Sequence, residues 1–195
     1  MPSTLDRILS TGIVAVIRSN DGEVLVDVAE SLVAGGVDIV EITFTVPKPH
    51  QVLERVADRL GDRAVVGAGT VLDAETARIA LLSGAQFVVT PVVDLPVIEL
   101  CRRYGKLVAS GAFTPTEVLT AWQAGADIVK IFPAEIGGPT HLKALRGPLP
   151  QVRLMPTGGV TLSTAAEFLR AGACALGLGG SLVPEAAIRT RDFAQ

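Results

Sequence analysis

The sequence is poor in the side chains that build metal centres and disulfides. Its 195 residues include two cysteines, Cys101 and Cys174, and two histidines, His50 and His141. The cysteines are far apart and match no metal or redox spacing, so a reducing cytoplasm is the expected location. Two isolated histidines argue against chemistry based on a histidine cluster, including a His-ligated metal.

A basic excess and long apolar runs are also missing. Lys and Arg number 17 and Asp and Glu number 20, which gives a net charge of −3, whereas nucleic-acid-binding domains usually carry a basic excess. No uncharged run reaches the roughly 18–20 apolar residues of a membrane-spanning helix. The N-terminus has no basic start followed by an apolar stretch, so no signal peptide is expected. Neither nucleic acid nor membrane is therefore an expected partner.

Apolar side chains, by contrast, are abundant. They make up 49% of the chain, against 19% charged residues, and the mean hydropathy is +0.47. This composition excludes a disordered chain and favours near-continuous apolar strands covered by helices on both faces. The length suits one domain, which we assign to residues 1–195.

Short apolar runs alternate with helical patterns along the whole chain. The runs are rich in Val and Ile and are followed by Gly, Pro, Ser or Thr, as is typical of strands. The predicted strands are Ile13–Ile17, Ile39–Thr43, Ala64–Gly67, Phe87–Thr90, Leu107–Ala109, Ile128–Ile131, Arg153–Met155 and Ala175–Leu178. The predicted helices, with apolar residues at helical spacing, are Gly22–Ala34, Pro49–Leu60, Ala74–Leu82, Leu95–Tyr104, Pro115–Gln123, Thr140–Leu145 and Leu162–Arg170.

Four segments repeat one pattern, in which a helix ends at glycine and an apolar strand follows within two residues. They are AGGVDIVEI from Ala34, SGAQFVVTP from Ser83, AGADIVKIF from Ala124 and AGACALGLG from Ala171. Eight predicted strands that alternate with helices, without a break in composition, predict a (β/α)8 barrel. A doubly wound open sheet is the alternative, but the first strand lacks its glycine fingerprint. Pro2–Ser10 is expected to form an extra helix that closes the lower end, and the C-terminal segment is short for a full eighth helix.

The residues that follow the strands are the candidates for function, because the active site of such a barrel lies at the carboxyl ends of its strands. These positions are Arg18, Glu41, Thr43, Gly69, Thr70, Thr90, Pro91, Lys130, Phe132, Pro156, Thr157, Gly158, Gly159, Gly179, Gly180 and Ser181.

Lys130 and Glu41 are the most informative of them, because each interrupts an apolar strand. Lysine is almost never fully buried unless it is paired. An apolar surrounding disfavours the ammonium form and makes a nucleophilic amine available for a Schiff base with a carbonyl substrate. Glu41 would then move protons beside it. The alternatives are a lysine that reaches water at the strand edge and a plain Glu41–Lys130 ion pair.

Two glycine-rich turns follow the seventh and eighth strands, TGGV at Thr157 and GLGGS at Gly177. Barrels often bind phosphate at these strands through backbone N–H groups, and Ser181 would add a hydroxyl donor. Tight turns chosen for geometry alone are the alternative. Arg18 would bind a carboxylate in a bidentate manner, through two parallel hydrogen bonds. The alternative is that Arg18 is an ordinary surface arginine. Glu135 comes after Pro133-Ala134, beyond the sixth predicted strand. We expect it to lie in a loop and to be solvated.

The motifs resemble one known family, the 2-keto-3-deoxy-6-phosphogluconate (KDPG) and 4-hydroxy-2-oxoglutarate aldolases, which also include 6-phosphogalactonate-type relatives. The resemblance extends from Ile13 to Val183. The segments that carry it are VEITFTVP, VGAGTVLD, GAQFVVTP, VKIFPAE, ALRGPLPQVRLMPTGGV and GLGGSLV.

This resemblance implies a trimeric (β/α)8 barrel and a class I aldolase that needs no metal or other cofactor. It implies a Schiff base on Lys130 with pyruvate or the 2-keto acid, and acid–base catalysis by Glu41. Pocket positions around the pyruvate moiety would be Thr70, Pro91 and Phe132, with the phosphate end at Gly158, Gly159, Gly180 and Ser181. The expected small-molecule partners are a 2-keto acid and a phosphorylated aldehyde.

Two positions depart from the family pattern. Many members have arginine where this chain has Thr45, and some relatives carry it after the first strand instead, as Arg18 does here; we therefore assign carboxylate binding to Arg18. Many members read Pro-Gly where this chain has Ser110-Gly111, a change that bears on substrate choice. A non-catalytic trimeric scaffold and a phosphosugar isomerase on a similar barrel are the competing hypotheses for function.

Overall fold

Eight parallel strands alternate with helices throughout the computed structural model, which describes residues 2–193. The strands are β1 (Ile13–Ile17), β2 (Ile39–Thr43), β3 (Val65–Gly69), β4 (Phe87–Val89), β5 (Leu107–Ala112), β6 (Ile128–Ile131), β7 (Leu154–Pro156) and β8 (Leu176–Leu178). The helices are α1 (Thr4–Thr11), α2 (Val24–Ala34), α3 (Pro49–Leu60), α4 (Ala74–Leu82), α5 (Leu95–Arg103), α6 (Pro115–Ala124), α7 (Ala134–Arg146), α8 (Leu162–Arg170) and α9 (Glu185–Thr190), with a 3-10 turn at Gly61–Arg63.

The sheet closes on itself. Its strand order is β7-β6-β5-β4-β3-β2-β1-β8, so β1 pairs with both β2 and β8. A parallel bridge between Thr157 and Gly177 joins the remaining edges. The (β/α)8 barrel is therefore confirmed, and the open doubly wound sheet is excluded.

Most predicted strands and helices are present, with small shifts at their ends. β3 extends to Gly69, beyond the predicted end at Gly67, because Thr43 on β2 pairs with Gly69. The largest difference is at α7, which begins at Ala134 and not at Thr140. Gly137-Gly138-Pro139 hides its first turn from a pattern search, and Gly138 indeed breaks the helical geometry with φ 61° and ψ −167°.

The repeated helix–glycine–strand pattern has a common backbone conformation. Gly36, Gly84, Gly125 and Gly172 have φ values of 92°, 100°, 96° and 98°. A side chain is strained at such angles, so glycine permits the chain to leave each helix and enter the next strand at once. The turn chemistry was thus readable from the sequence.

Two apolar layers hold the barrel together. The larger one lies between the strands and the surrounding helices. The smaller one fills the lower half of the barrel interior and includes Ile39 on β2, Phe87 on β4, Ile128 on β6 and Met155 on β7, with Ile8 from α1 packed among them. Because side chains alternate sides along a strand, Glu41 and Lys130, two residues beyond Ile39 and Ile128, also point into the barrel.

Helix α1 closes the lower end of the barrel, as predicted for this segment. Beyond the packing of Ile8, Arg7 Nη2 donates a hydrogen bond to Asp38 Oδ2 at 2.7 Å, and Thr11 Oγ1 donates to Asp38 Oδ1 at 2.7 Å. Burial acts to raise the pKa of Asp38, but the bonds from Thr11 and Arg7 outweigh it and hold that pKa below its usual value.

Both cysteines are unpaired thiols in the structure. Burial raises the pKa of Cys101 to about 12 and that of Cys174 to about 11, so neither is a reactive thiolate at neutral pH. Among residues 2–193, the structure contains no helix long and apolar enough to cross a membrane.

We predict that Asp38→Asn lowers the free energy of unfolding at pH 7 by about 1 to 2 kcal/mol, because it weakens two hydrogen bonds to a carboxylate. The folded-state pKa of Asp38 is lowered, so its contribution is present above the unfolded-state pKa and disappears as the pH falls through the folded-state pKa. Urea denaturation at pH 7 and pH 3 measures both. Asp58→Asn on exposed α3 is the control; an equal loss at both pH values would contradict the assignment.

Candidate active site

Glu41 and Lys130 lie opposite each other in the upper half of the barrel interior. Glu41 is on β2, aligned with Val16 on β1 and Gly67 on β3. Lys130 is on β6, aligned with Gly111 on β5. Their side chains are 1% and 5% exposed respectively, so both ionisable groups are removed from water. The structure thus places the two predicted catalytic residues in the same barrel interior, where the charge of Lys130 acts on the Glu41 carboxyl group.

The Glu41 carboxylate is buried, and no hydrogen bond within residues 2–193 offsets its loss of contact with water. Neither of its oxygens has a hydrogen-bond partner among the described residues. Burial raises the pKa of Glu41 above its ordinary value, and the positive fields of Lys130 and Arg18 oppose that rise without cancelling it. A carboxyl group with a raised pKa is suited both to accept and to return a proton near neutral pH.

Glycines on β3 make the room for this carboxylate. A Cβ atom at Gly69 would overlap Glu41 Oε1, and one at Gly67 would overlap the Phe87 ring. The side chain of Glu41 therefore lies flat across a strand that has no side chain of its own at that level. Sequence inspection identified Gly69 only as a residue at a strand end and missed this steric role.

Lys130 lies under an aromatic cover. Its Nζ is 5.1 Å from the centroid of the Phe132 ring, and Phe132 is 36% exposed. The ring therefore covers one side of the amine. Thr157 on the next strand is 6% exposed, and its Oγ1 has no hydrogen-bond partner among the described residues. The hydrogen-bonding capacity of this buried hydroxyl is therefore unused within the described residues.

Arg18 and Thr43 form a second polar group at the mouth, on the β1–β2 side. Arg18 Nε donates to Thr43 Oγ1 at 3.3 Å, and Thr45 Oγ1 donates to the same oxygen at 3.3 Å. The positive charge of the guanidinium acts on Glu41 and opposes the rise of its pKa. Arg18 thus faces the mouth of the cavity, where a substrate carboxylate would be in reach.

Thr70 and Pro91 form the rim above β3 and β4. Thr70 has a left-handed backbone, with φ 57°, which is costly for a β-branched residue. Thr90 Oγ1 donates to the carbonyl of Val92 at 2.6 Å and accepts a hydrogen bond from Gly111 N at 3.1 Å. The turn at Pro91 packs so tightly on Gly111 that a Cβ there would overlap the Pro91 carbonyl.

The two glycine-rich turns lie side by side at the opposite edge of the mouth. Gly158 and Gly159 both have positive φ, 87° and 71°, and a Cβ at Gly180 would meet no atom within 4 Å. Ser181 Oγ donates to the Val160 carbonyl at 2.9 Å. Ser181 therefore links the two turns, and its expected hydrogen bond to a phosphate remains a prediction.

Two residues of this region, Glu135 and Ser110, are placed differently from the expectations drawn from the sequence. Glu135, expected in a solvated loop, begins α7 and donates its backbone N–H to the Gly158 carbonyl at 3.0 Å. Its side chain lies against Gly159, where a Cβ would collide with it. Ser110 is fully buried, and its hydroxyl has no hydrogen-bond partner among the described residues. Because Ser110 aligns with Val129 and not with Lys130, it faces the helices and not the cavity.

Comparison with known proteins shows the family to which the chain belongs. The family model for KDPG and KHG aldolases matches residues 5–195. The 2-dehydro-3-deoxy-phosphogluconate aldolase of Treponema pallidum (strain Nichols) is 36% identical over 193 residues, 98% of this chain and 90% of the relative. The 2-dehydro-3-deoxy-6-phosphogalactonate aldolase of Escherichia coli (strain K12) is 36% identical over 171 residues, 87% of this chain and 83% of the relative.

A solved structure supports the same relationship. The KDPG aldolase from Legionella pneumophila, with pyruvate captured as a covalent carbinolamine intermediate, superposes with a TM-score of 0.91 at 28% identity, covering 97% of this chain and 92% of that one. Fold and relatives together define a carbon–carbon lyase of the aldolase class. The chain belongs to the KDPG and KHG aldolase family.

We predict that Glu41→Gln raises the free energy of unfolding at pH 8 by about 1 kcal/mol or more, because it removes a buried charge that has no hydrogen bonds. The raised folded-state pKa of Glu41 means that its carboxylate costs stability increasingly as the pH rises above the unfolded-state value. Urea denaturation at pH 8 and pH 4 measures the difference, which should shrink at pH 4. Glu54→Gln on the exposed side of α3 is the control. A less stable Glu41→Gln protein at pH 8 would contradict the argument.

Proposed function

We propose that the protein is a class I aldolase that cleaves 2-keto-3-deoxy-6-phosphogluconate to pyruvate and glyceraldehyde 3-phosphate. The observation that carries this proposal is the burial of Lys130 and Glu41 together in the barrel interior of a KDPG and KHG aldolase family member. The relative from Legionella, whose pyruvate is held as a covalent carbinolamine, supports an amine nucleophile.

The reaction begins at Lys130. Its neutral amine adds to the C2 ketone to give a carbinolamine, and loss of water leaves a protonated imine. Phe132, which covers the amine, limits the access of solvent to this carbon. The positive imine nitrogen then serves as the acceptor for the electrons of the bond that breaks.

Glu41 performs the proton transfers. Its carboxylate takes the proton of the C4 hydroxyl, the C3–C4 bond breaks, and the electron pair moves towards the imine nitrogen to form an enamine while the aldehyde leaves. The protonated Glu41 returns its proton to C3. Water then hydrolyses the imine, which releases pyruvate and restores the Lys130 amine.

The remaining residues bind the two ends of the substrate. Arg18, held by Thr43, pairs with the C1 carboxylate, and Thr157 donates its free hydroxyl within the cavity. The rim residues Thr70 and Pro91 enclose the pyruvate portion. The phosphate is bound by backbone N–H groups of the two turns, at Gly158, Gly159, Gly180 and Ser181, since glycine allows an anion to approach the backbone closely.

Two related substrates are the alternatives. The relative from Escherichia coli is named for the 6-phosphogalactonate substrate and is as similar in identity as the phosphogluconate aldolase of Treponema. These two substrates differ at C4, the carbon whose hydroxyl Glu41 would deprotonate. The third candidate, 4-hydroxy-2-oxoglutarate, would use the same imine chemistry without a phosphate.

We also propose that the protein acts in the cytoplasm as a homotrimer. Exposed apolar side chains are concentrated between the end of β3 and the start of α5, at Leu72, Ile79, Leu82, Val92 and Leu95. A surface of this kind is typical of a site for association. Its burial against a second copy of the chain agrees with the trimer implied by the family resemblance.

We predict that sodium borohydride in the presence of pyruvate adds a stable modification to Lys130, because reduction converts the imine to a secondary amine. Peptide mass spectrometry locates the modified residue. Lys106→Arg, which removes a different lysine, is the control and should trap pyruvate normally, whereas Lys130→Arg should not. Well-folded protein that leaves Lys130 unmodified would overturn the proposed function.

We further predict that Glu41→Gln reduces turnover of KDPG by at least about 100-fold, the lower range for loss of a general acid–base group. The Lys130 amine remains in this variant, so slow trapping of pyruvate should persist. Coupled assay of pyruvate release measures turnover, and circular dichroism checks the fold. Unchanged turnover would remove Glu41 from the mechanism.

A further inference from the structure

A large groove opens beside the proposed phosphate turns, between the first and the last strands of the barrel. Its volume is about 760 Å³, within the range of small-molecule sites. One wall is formed by the end of β1 and the loop that follows, the floor includes Gly179 and Gly180, and the far wall is α9. Arg18 belongs both to this groove and to the mouth of the reactive cavity, so the two spaces adjoin.

The groove is rich in arginine. Three arginines line it, Arg18, Arg189 and Arg191, together with two carboxylates, Asp21 and Glu185. Arg191 is paired with Asp21 at 3.3 Å, and Arg18 donates to Thr43. The Arg189 guanidinium, by contrast, has no hydrogen bond or ion pair among residues 2–193. Of the three arginines in this groove, Arg189 is thus the one without a side-chain partner in the described part of the chain.

Helix α9 is held in a fixed position relative to the glycine-rich turn after β8. Leu182 N and Val183 N both donate to the Gly179 carbonyl, at 2.9 and 3.0 Å, so the segment that enters α9 is folded back on that turn. At the other end, the Arg191–Asp21 pair ties α9 to the loop after β1, and Phe193 packs against the main apolar layer. Arg189 therefore extends from a helix that is anchored on both sides.

We propose that Arg189 is a specificity-determining residue that binds the phosphate of the substrate at the end distant from the reacting ketone; this rests on the proposed aldolase function. A guanidinium group matches the geometry of phosphate oxygens and forms charge-assisted hydrogen bonds with them. Gly179 and Gly180 line the groove, where glycine allows an anion to approach the backbone closely, and Arg189 lines the same groove from α9. Glu185 lies one helical turn earlier in the same wall and repels an anion, an effect that the positive charge of Arg189 has to outweigh.

A substrate without phosphate does not use this contact, so Arg189 should affect one substrate and spare the other. We expect Arg189→Gln to lower kcat/KM for KDPG about tenfold, mainly through KM, the effect of one charge-assisted hydrogen bond. For the dephosphorylated counterpart, 2-keto-3-deoxygluconate, the change should be less than about twofold. Arg189→Lys, which keeps the charge, should recover part of the loss.

The control is Arg170→Gln, which removes an exposed arginine from the last turn of α8 at the opposite end of the barrel, and it should change neither value. Equal losses for both substrates would show that Arg189 acts only on the structure, and no loss for either would show that it makes no contact; each result overturns the proposal.

Binding of inorganic phosphate tests the Arg189 site independently of the proposed aldolase function. Calorimetric titration of the wild-type protein and of Arg189→Gln with phosphate needs no turnover. We expect the variant to bind about tenfold more weakly, and the Lys130→Arg protein to bind as the wild type does. If pyruvate is not trapped but this difference is found, the aldolase mechanism fails and the anion site remains. Equal phosphate affinity in the wild-type and Arg189→Gln proteins would eliminate the site.

Discussion

Two ionisable side chains share a barrel interior whose lower half is filled by aliphatic and aromatic groups. Placing Glu41 and Lys130 there is unfavourable for each alone, because neither carboxylate nor ammonium keeps its water shell. The raised pKa of Glu41 shows that desolvation is stronger than the attraction of Lys130 and Arg18 together. The site therefore carries a cost in stability, because a buried carboxylate without hydrogen bonds is unfavourable.

The rest of the molecule keeps that arrangement fixed. Ile8 and its neighbours exclude water from below, and the bonds from Arg7 and Thr11 to Asp38 attach α1 to the strand system. From above, Phe132 covers the amine. The site also depends on a steric requirement. Only glycine at position 69 leaves room for the Glu41 carboxylate, because a Cβ atom there would overlap it.

The fold and the central pair were predictable because their signals are local. A helix that stops at glycine before an apolar strand, as at Gly36 and Gly125, can be recognised from a few adjacent residues. The same is true of a lysine within an apolar run. The start of α7 was misplaced because Gly138 and Pro139 read as a loop, although the residues before them are helical. The functions assigned to individual site residues remain predictions.

Contacts between distant parts of the chain could not be predicted in the same way. No spacing rule places Arg189 beside the loop after β1, because that contact depends on how the last segment folds back on Gly179. The role of Gly69 likewise depends on the alignment of β2 with β3. The direction in which Ser110 points required the β5–β6 register. Each of these is a property of the closed barrel and not of a segment.

The junction between β7 and β8 gives the barrel a seam. Elsewhere neighbouring strands share at least two aligned pairs, whereas in the described part of the chain these two share a single bridge, Thr157 with Gly177. That bridge lies directly beneath the glycine-rich turns. Fewer aligned pairs hold this junction than any other in the described barrel, so local opening of the cylinder is expected to begin here, next to the two glycine-rich turns.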